Sequence, residues 1–197
     1  MGMYLGLLTL RDDNISKILD SPPLIWRVLS PDDPEIYLYE VNSKKSGIIS
    51  RWFGKKLKDV NVPSLDFVEG EGIDYDLDKS WHGIHYLLTQ TEWEGEPPLN
   101  FLLAGEVVGD IDVGYGPARV FSSIEVKEIY NVLQGIDHES LKNRYDPDDM
   151  MTKEIYPTIW MEEQEDGLDY CLQYFDDLKS FISEAFSHNL GIVLYLR

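Results

Sequence analysis

The chain has 197 residues, with 36 acidic side chains against 17 basic ones and a formal net charge of −19 at pH 7. Hydrophobic residues make up 43% and aromatics 12%, which excludes a disordered chain; the length suits one domain that buries about two-thirds of its unfolded surface. A single cysteine, Cys171, excludes an internal disulfide framework and a cysteine-based zinc site, and the charge argues against DNA or an anionic membrane as main partner.

The opening residues are apolar, but no basic residue precedes them and no small-residue cleavage site follows, so they read as a strand and not as a secretory signal. No apolar run approaches the ~20 residues of a spanning helix, and a cytoplasmic location is expected. Residues 3–10 form a near-continuous apolar run, as in a strand covered on both faces. Asp12-Asp13-Asn14 offers a cap and first-turn acids for a short helix, which Pro22-Pro23 ends. Residues 24–29 start another helix, and Pro31 stops it. The aromatic and β-branched residues 36–41 predict a strand or extended segment.

Residues 42–77 read as irregular, with glycines at 47, 54, 70 and 72. From Ser80 a helix is predicted that aligns Trp81, Ile84, His85 and Leu88 on one face. Pro97-Pro98 opens a short apolar stretch, and a Gly-rich loop is expected through Gly105, Gly109, Gly114 and Gly116. Residues 118–121 are a short strand. Ser122 with Glu125 three residues on is a capping-box arrangement, and Val126, Ile129, Tyr130 and Leu133 line the helix it starts, with Gly135 at its end. The longest amphipathic helix runs from Leu168 to Phe186, and residues 192–196 form a last apolar strand. These elements predict an α+β domain spanning 1–197, with a mixed sheet that contains both terminal strands and is covered by helices.

The charge is uneven. Residues 1–60 carry nine basic and eight acidic side chains, net +1, whereas residues 61–197 carry eight basic and 28 acidic, net −20. Lys44, Lys45, Arg51, Lys55, Lys56 and Lys58 interleave with Trp52 and Phe53, a pattern able to hold a nucleic-acid strand. The acidic remainder opposes that reading and favours pairing within the protein, between copies, or with a basic protein partner.

Motifs for chemistry are sparse. Residues 74–78 begin like a calcium loop, but Lys79 and His85 occupy the positions that need glycine and glutamate. His82 and His85 have a spacing that can bring two imidazoles to one metal, yet no third ligand stands nearby, and His85 is expected to be a hydrogen-bonded core histidine. Residues 114–119 lack the pattern of a dinucleotide or phosphate loop; Arg119 is expected to hold a buried carboxylate, or else an anionic ligand. No nucleophile elbow exists, and Cys171 lies on an apolar helix face as an inert small hydrophobe. Neither a metal nor a cofactor is expected.

Several of these segments carry a resemblance. Met1-Gly2-Met3 opening into a strand, Lys79-Ser80-Trp81-His82-Gly83-Ile84-His85-Tyr86-Leu87-Leu88-Thr89, Tyr115-Gly116-Pro117-Ala118-Arg119, the run 141–145 leading to Met150 or Met151, and Ile155-Tyr156-Pro157 resemble the YfbM-like family of bacterial domains of unknown function. Gln90 departs from the pattern, where the family has glycine, and the basic stretch has no counterpart. The resemblance implies a cytoplasmic α/β-type domain without assigned catalytic residues. Two functions compete. One is a non-catalytic binding protein, able to neutralise a basic partner as immunity proteins do. The other is an enzyme or small-ligand binder with a polar-aromatic pocket of Trp81, His85, Tyr115 and Arg119.

Overall fold

In the computed structural model, residues 2–45, 63, 65–161 and 166–197 are described. The chain runs β1 (Leu5–Leu10), α1 (Asp12–Asp20), a 3-10 turn (Pro22–Leu24), α2 (Ile25–Leu29), α3 (Pro34–Lys45), β2 (Asp74–Asp76) and α4 (Trp81–Thr89). It continues through β3 (Glu106–Asp112), β4 (Pro117–Phe121), α5 (Ser123–Gln134), α6 (His138–Lys142), α7 (Pro147–Thr152), α8 (Gly167–Ser187) and β5 (Gly191–Leu196). The five strands form one sheet in the order β2-β1-β5-β4-β3, antiparallel at every pairing and not mixed. The terminal strands β1 and β5 pair over their full lengths, Leu5 opposite Leu196 to Leu10 opposite Gly191, which explains why both are so apolar.

Strand alternation divides the interior into two cores. Leu5, Leu7, Phe121, Ile192 and Leu194 face α4, α5 and α8. Leu8, Leu10, Ala118, Val120 and Val193 face α1, α2 and Tyr37 of α3. Gly83 sets how closely α4 meets α8 and the loop before it: a Cβ there would lie 2.7 Å from Cys171 Sγ and 2.4 Å from the Trp160 ring. No helix among the described residues is long and apolar enough to cross a membrane.

Three local expectations change. Residues 36–41 lie inside helix α3, because Asp33 accepts from the Glu35 amide (3.1 Å) just ahead of a first-turn proline, and this start outweighs the β-branched composition. The Gly-rich loop contains edge strand β3, whose register shifts between Val107 and Asp112; Gly109 takes φ +59 within that irregularity. Gly135 follows α5 with φ −82, so no left-handed cap forms there. The capping box at Ser122 and Glu125 is present in both directions. Its neighbour Ser123 is bound from a distance: its amide and hydroxyl both donate to the Asp12 carboxylate, at 2.8 and 2.6 Å. Asp12 therefore ties α1 to the start of α5.

The basic stretch at 44–58 lies, beyond the last turn of α3, outside the described residues. The acidic segment after it is partly structural. The Glu71 carboxylate is enclosed and accepts from the Arg11 amide (3.1 Å), the Asn14 side chain (2.6 Å) and the Val68 amide (2.9 Å).

Candidate functional site

Helix α4 is buried on every side from Trp81 to Leu88, where one apolar face was expected. An all-round interior helix brings its polar side chains inside, and each then requires a partner. Trp81 donates through Nε1 to the Met3 carbonyl (3.4 Å) and stacks on Tyr156 with ring centroids 6.0 Å apart. Tyr156 in turn accepts from the Met3 amide through its hydroxyl (2.9 Å), and its own amide donates to His82 Nδ1 (3.0 Å). Segments at 3, 81–82 and 156 thus close on one another. Arg144 caps the far end of α4 by donating to the Leu87 and Leu88 carbonyls at 3.2 and 3.0 Å.

The two imidazoles of α4 differ. In His82, Nδ1 accepts from Tyr156, so Nε2 carries the proton and donates to the Glu92 carbonyl (2.8 Å). Its ring lies between Trp81 (4.8 Å) and Trp93 (4.5 Å). Both nitrogens are occupied, and no lone pair remains for a metal. Among the described residues no group of three metal-ligating side chains occurs.

His85 was expected to be hydrogen-bonded, and it is not. It is fully buried, and neither ring nitrogen has a hydrogen-bond partner. The Glu94 main chain lies near enough to favour the protonated ring slightly, short of hydrogen-bond geometry. Burial first, then the neighbouring His82 and the Arg119 cation, hold the His85 pKa down to about 4, leaving the ring neutral at pH 7. Among the described residues Arg119 holds no carboxylate. Its guanidinium donates to the Leu102 (3.1 Å) and Ala104 (3.4 Å) carbonyls, and burial alone pushes its pKa to about 10. Of the four pocket candidates, Trp81 is locked into the Met3–Tyr156 junction, and His85 and Arg119 share one electrostatic neighbourhood. Tyr115 sits at the tip of the β3–β4 turn, 57% exposed, with its amide bound to Leu196.

A second polar-aromatic region lies at the sheet edge. Asp74 and Asp76 are exposed on β2, on the face of Tyr195, while Tyr75 points to the opposite face and donates to Asp177 of α8 (3.2 Å). Tyr170 donates to Asp78 (2.9 Å) and meets Tyr174 edge-on at 5.1 Å. Burial and these aspartates push the phenols of Tyr75, Tyr170 and Tyr174 above their ordinary pKa. Among the described residues no lysine or arginine forms an ion pair with Asp74, Asp76, Asp78 or Asp177. The Tyr75–Asp177 and Tyr170–Asp78 pairs at this edge join segments about a hundred residues apart, so no sequence motif marks it; the local sign is the alternating Asp-Tyr-Asp of β2.

Similarity supplies the family. The domain of unknown function DUF1877 matches residues 1–195. The chain belongs to this family. A solved structure similar to it is the protein of unknown function YfbM from Escherichia coli, with a TM-score of 0.62 at 16% identity, covering 98% of this chain and 99% of that one. At that identity the likeness is one of fold. Comparison with curated proteins gives no match. The glycine expected after Leu-Leu-Thr has a physical counterpart: Gln90 ends α4 with φ +59, a backbone shape that favours glycine. Its side chain offsets the strain by donating to the Tyr86 and Arg144 carbonyls, both at 3.1 Å.

Proposed function

We propose that this family member is a cytoplasmic, non-catalytic binding protein whose acidic tyrosine face at the β2 edge docks a basic protein. The observation that carries the reading is four aspartates with no lysine or arginine partner among the described residues, set among half-buried tyrosines along the edge strand β2. Tyrosines anchor interfaces because they bury large area at low entropic cost, and unpaired carboxylates steer a cationic partner. The tyrosines are pre-positioned by Asp78 and Asp177 and by ring contacts, so little ordering remains for binding.

A photo-crosslinking residue in place of Tyr75, in cells that express the full chain, tests this. The expected product is a basic protein, lost on Asp177→Lys and absent when the crosslinker replaces Glu139. A crosslink that is unaffected by Asp177→Lys, or one formed equally from position 139, rejects the reading. A crosslink to a second copy of the chain assigns the face to self-association instead. A second reading, a small-ligand site around Trp81, His85, Tyr115 and Arg119, is favoured by one observation: the unpartnered nitrogens of His85 beside Arg119.

A further inference from the structure

The two edges of the sheet are guarded unequally. At one, β3 shifts register between Val107 and Asp112, and the 3-10 turn packs on it: a Cβ on Gly109 would lie 2.7 Å from the Pro22 ring. At the other, β2 contains no proline or glycine and keeps a regular antiparallel register with β1, Leu8 opposite Asp74, Leu7 opposite Tyr75 and Gly6 opposite Asp76. The Thr9 amide donates to the Ile73 carbonyl and the Leu77 amide to the Leu5 carbonyl, both at 2.9 Å. In an antiparallel pair, residues that bond inward alternate with residues whose main chain points outward. Positions 73, 75 and 77 therefore bond to β1, and the amides and carbonyls of Asp74 and Asp76 point away from it. Among the described residues no group hydrogen-bonds to those outward amides and carbonyls, and no strand lies beyond β2. A row of unpaired main-chain groups is a template for another strand.

We infer that β2 holds its partner by strand addition: an extended segment of the basic protein, with lysine or arginine at alternate positions, pairs along Asp74–Asp76 and extends the five-stranded sheet. The inference rests on the acidic-face reading above and names how that face holds its partner. Main-chain bonds to Asp74 and Asp76 supply the hold, and side chains supply the selection. Asp74 and Asp76 project to one face of the sheet and Tyr75 to the other. A partner strand thus meets a carboxylate at every second residue, and opposite charges across a strand pair attract. The residue between them meets the Tyr75 ring, which stacks on Phe181 (6.2 Å) and is anchored by Asp177, so an apolar β-branched residue fits there. A second copy of the chain is disfavoured, because β2 against β2 sets aspartate opposite aspartate on the same face.

Amide hydrogen exchange of the 15N-labelled full chain at low ionic strength, with a capped peptide Thr-Lys-Val-Lys-Val-Lys-Thr, tests this. A control peptide has the same residues in the order Lys-Lys-Lys-Val-Val-Thr-Thr. With the alternating peptide at saturation, exchange of the Asp74 and Asp76 amides should slow about tenfold or more, while the Tyr75 amide, already bonded to β1, stays unchanged. The control should bind about threefold or more weakly, since its charges cannot share one face. Asp76→Ala removes a carboxylate and keeps the outward amide, so binding should weaken about threefold; Asp76→Pro also removes the amide and should weaken it about tenfold further. Binding that leaves exchange of these two amides unchanged overturns strand addition, and so do equal binding by the control and equal effects of Ala and Pro. Those results leave the acidic face acting through side chains alone. Absence of binding by the alternating peptide up to about 1 mM also overturns the inference, whereas the acidic-face reading stands or falls on the Tyr75 crosslink. Slowing of the same amides with protein concentration, without peptide, assigns the edge to a second copy and overturns it too. Exchange in the wild-type chain decides even where Asp76→Pro does not fold.

Discussion

The α4 junction and the β2 edge use the same residue types to opposite ends. At α4, Trp81, His82, Tyr156 and Arg144 spend their polar atoms on main-chain groups inside the protein. At the β2 edge, Tyr75 and Tyr170 spend theirs on aspartates that still face water. The first pattern stabilises a fold, since each removed partner strands a buried group. The second costs little to remove and remains available to a partner. His85 is the exception in the junction, and the contrast with His82 is what marks it.

The comparison breaks most visibly at Trp81. Trp81→Ala should cost about 3–5 kcal/mol in urea unfolding, because it empties the centre of the Met3–Tyr156 junction. A loss below about 1 kcal/mol means that the junction is not a core. Acid sharpens the contrast next. Folded His85 has its pKa held to about 4 against 6.5 unfolded, so between those values the unfolded chain binds more protons and stability falls as pH drops. The full effect is up to about 3 kcal/mol, and His82, also lowered by burial, acts in the same direction. Unfolding free energies measured from pH 7 to 4 should show this slope, reduced in His85→Phe. The carboxylates held below their ordinary range, such as Asp149, add their losses only at lower pH.

The two histidines separate further by substitution. His82→Phe leaves the Tyr156 amide and the Glu92 carbonyl without their partner and should cost about 2 kcal/mol. His85→Phe removes two unsatisfied nitrogens and should be neutral within about 1 kcal/mol, or stabilising. Equal losses at both positions would erase the distinction. At the β2 edge the expected stability change is smallest: Tyr75→Phe should shift the midpoint by about 0.5 kcal/mol or less, since Asp177 stays solvated. A cost above about 2 kcal/mol there would place the edge with the structural region.

Features set by neighbours in sequence were legible. The Ser122–Glu125 box needs only four residues, and the α8 repeat needs only its own 3.6-residue period, so both stand in the structure as spacing predicts. The apolar runs of β1 and β5 announced interior strands because two covered faces leave no room for alternation. Where local signals competed, reading failed. Residues 36–41 have β-like side chains behind a helix start, and β3 hides among glycines because an irregular edge strand needs neither alternation nor burial. The sequence singled out His85 but predicted it hydrogen-bonded, and its missing hydrogen bonds are a property of surroundings that include Glu94, His82 and Arg119.

By itself, the sequence determined the acidity, the single cysteine that leaves no partner for a disulfide within the chain, and most helices and central strands. These depend on composition and short-range periodicity. Only the tertiary structure decided that Arg119 holds carbonyls, that His82 is satisfied while His85 is not, and that Tyr75 meets Asp177 across the β2–α8 edge. Such pairings join residues up to about a hundred positions apart. Hydrogen bonding is fixed by distance and angle, which no spacing along the chain specifies.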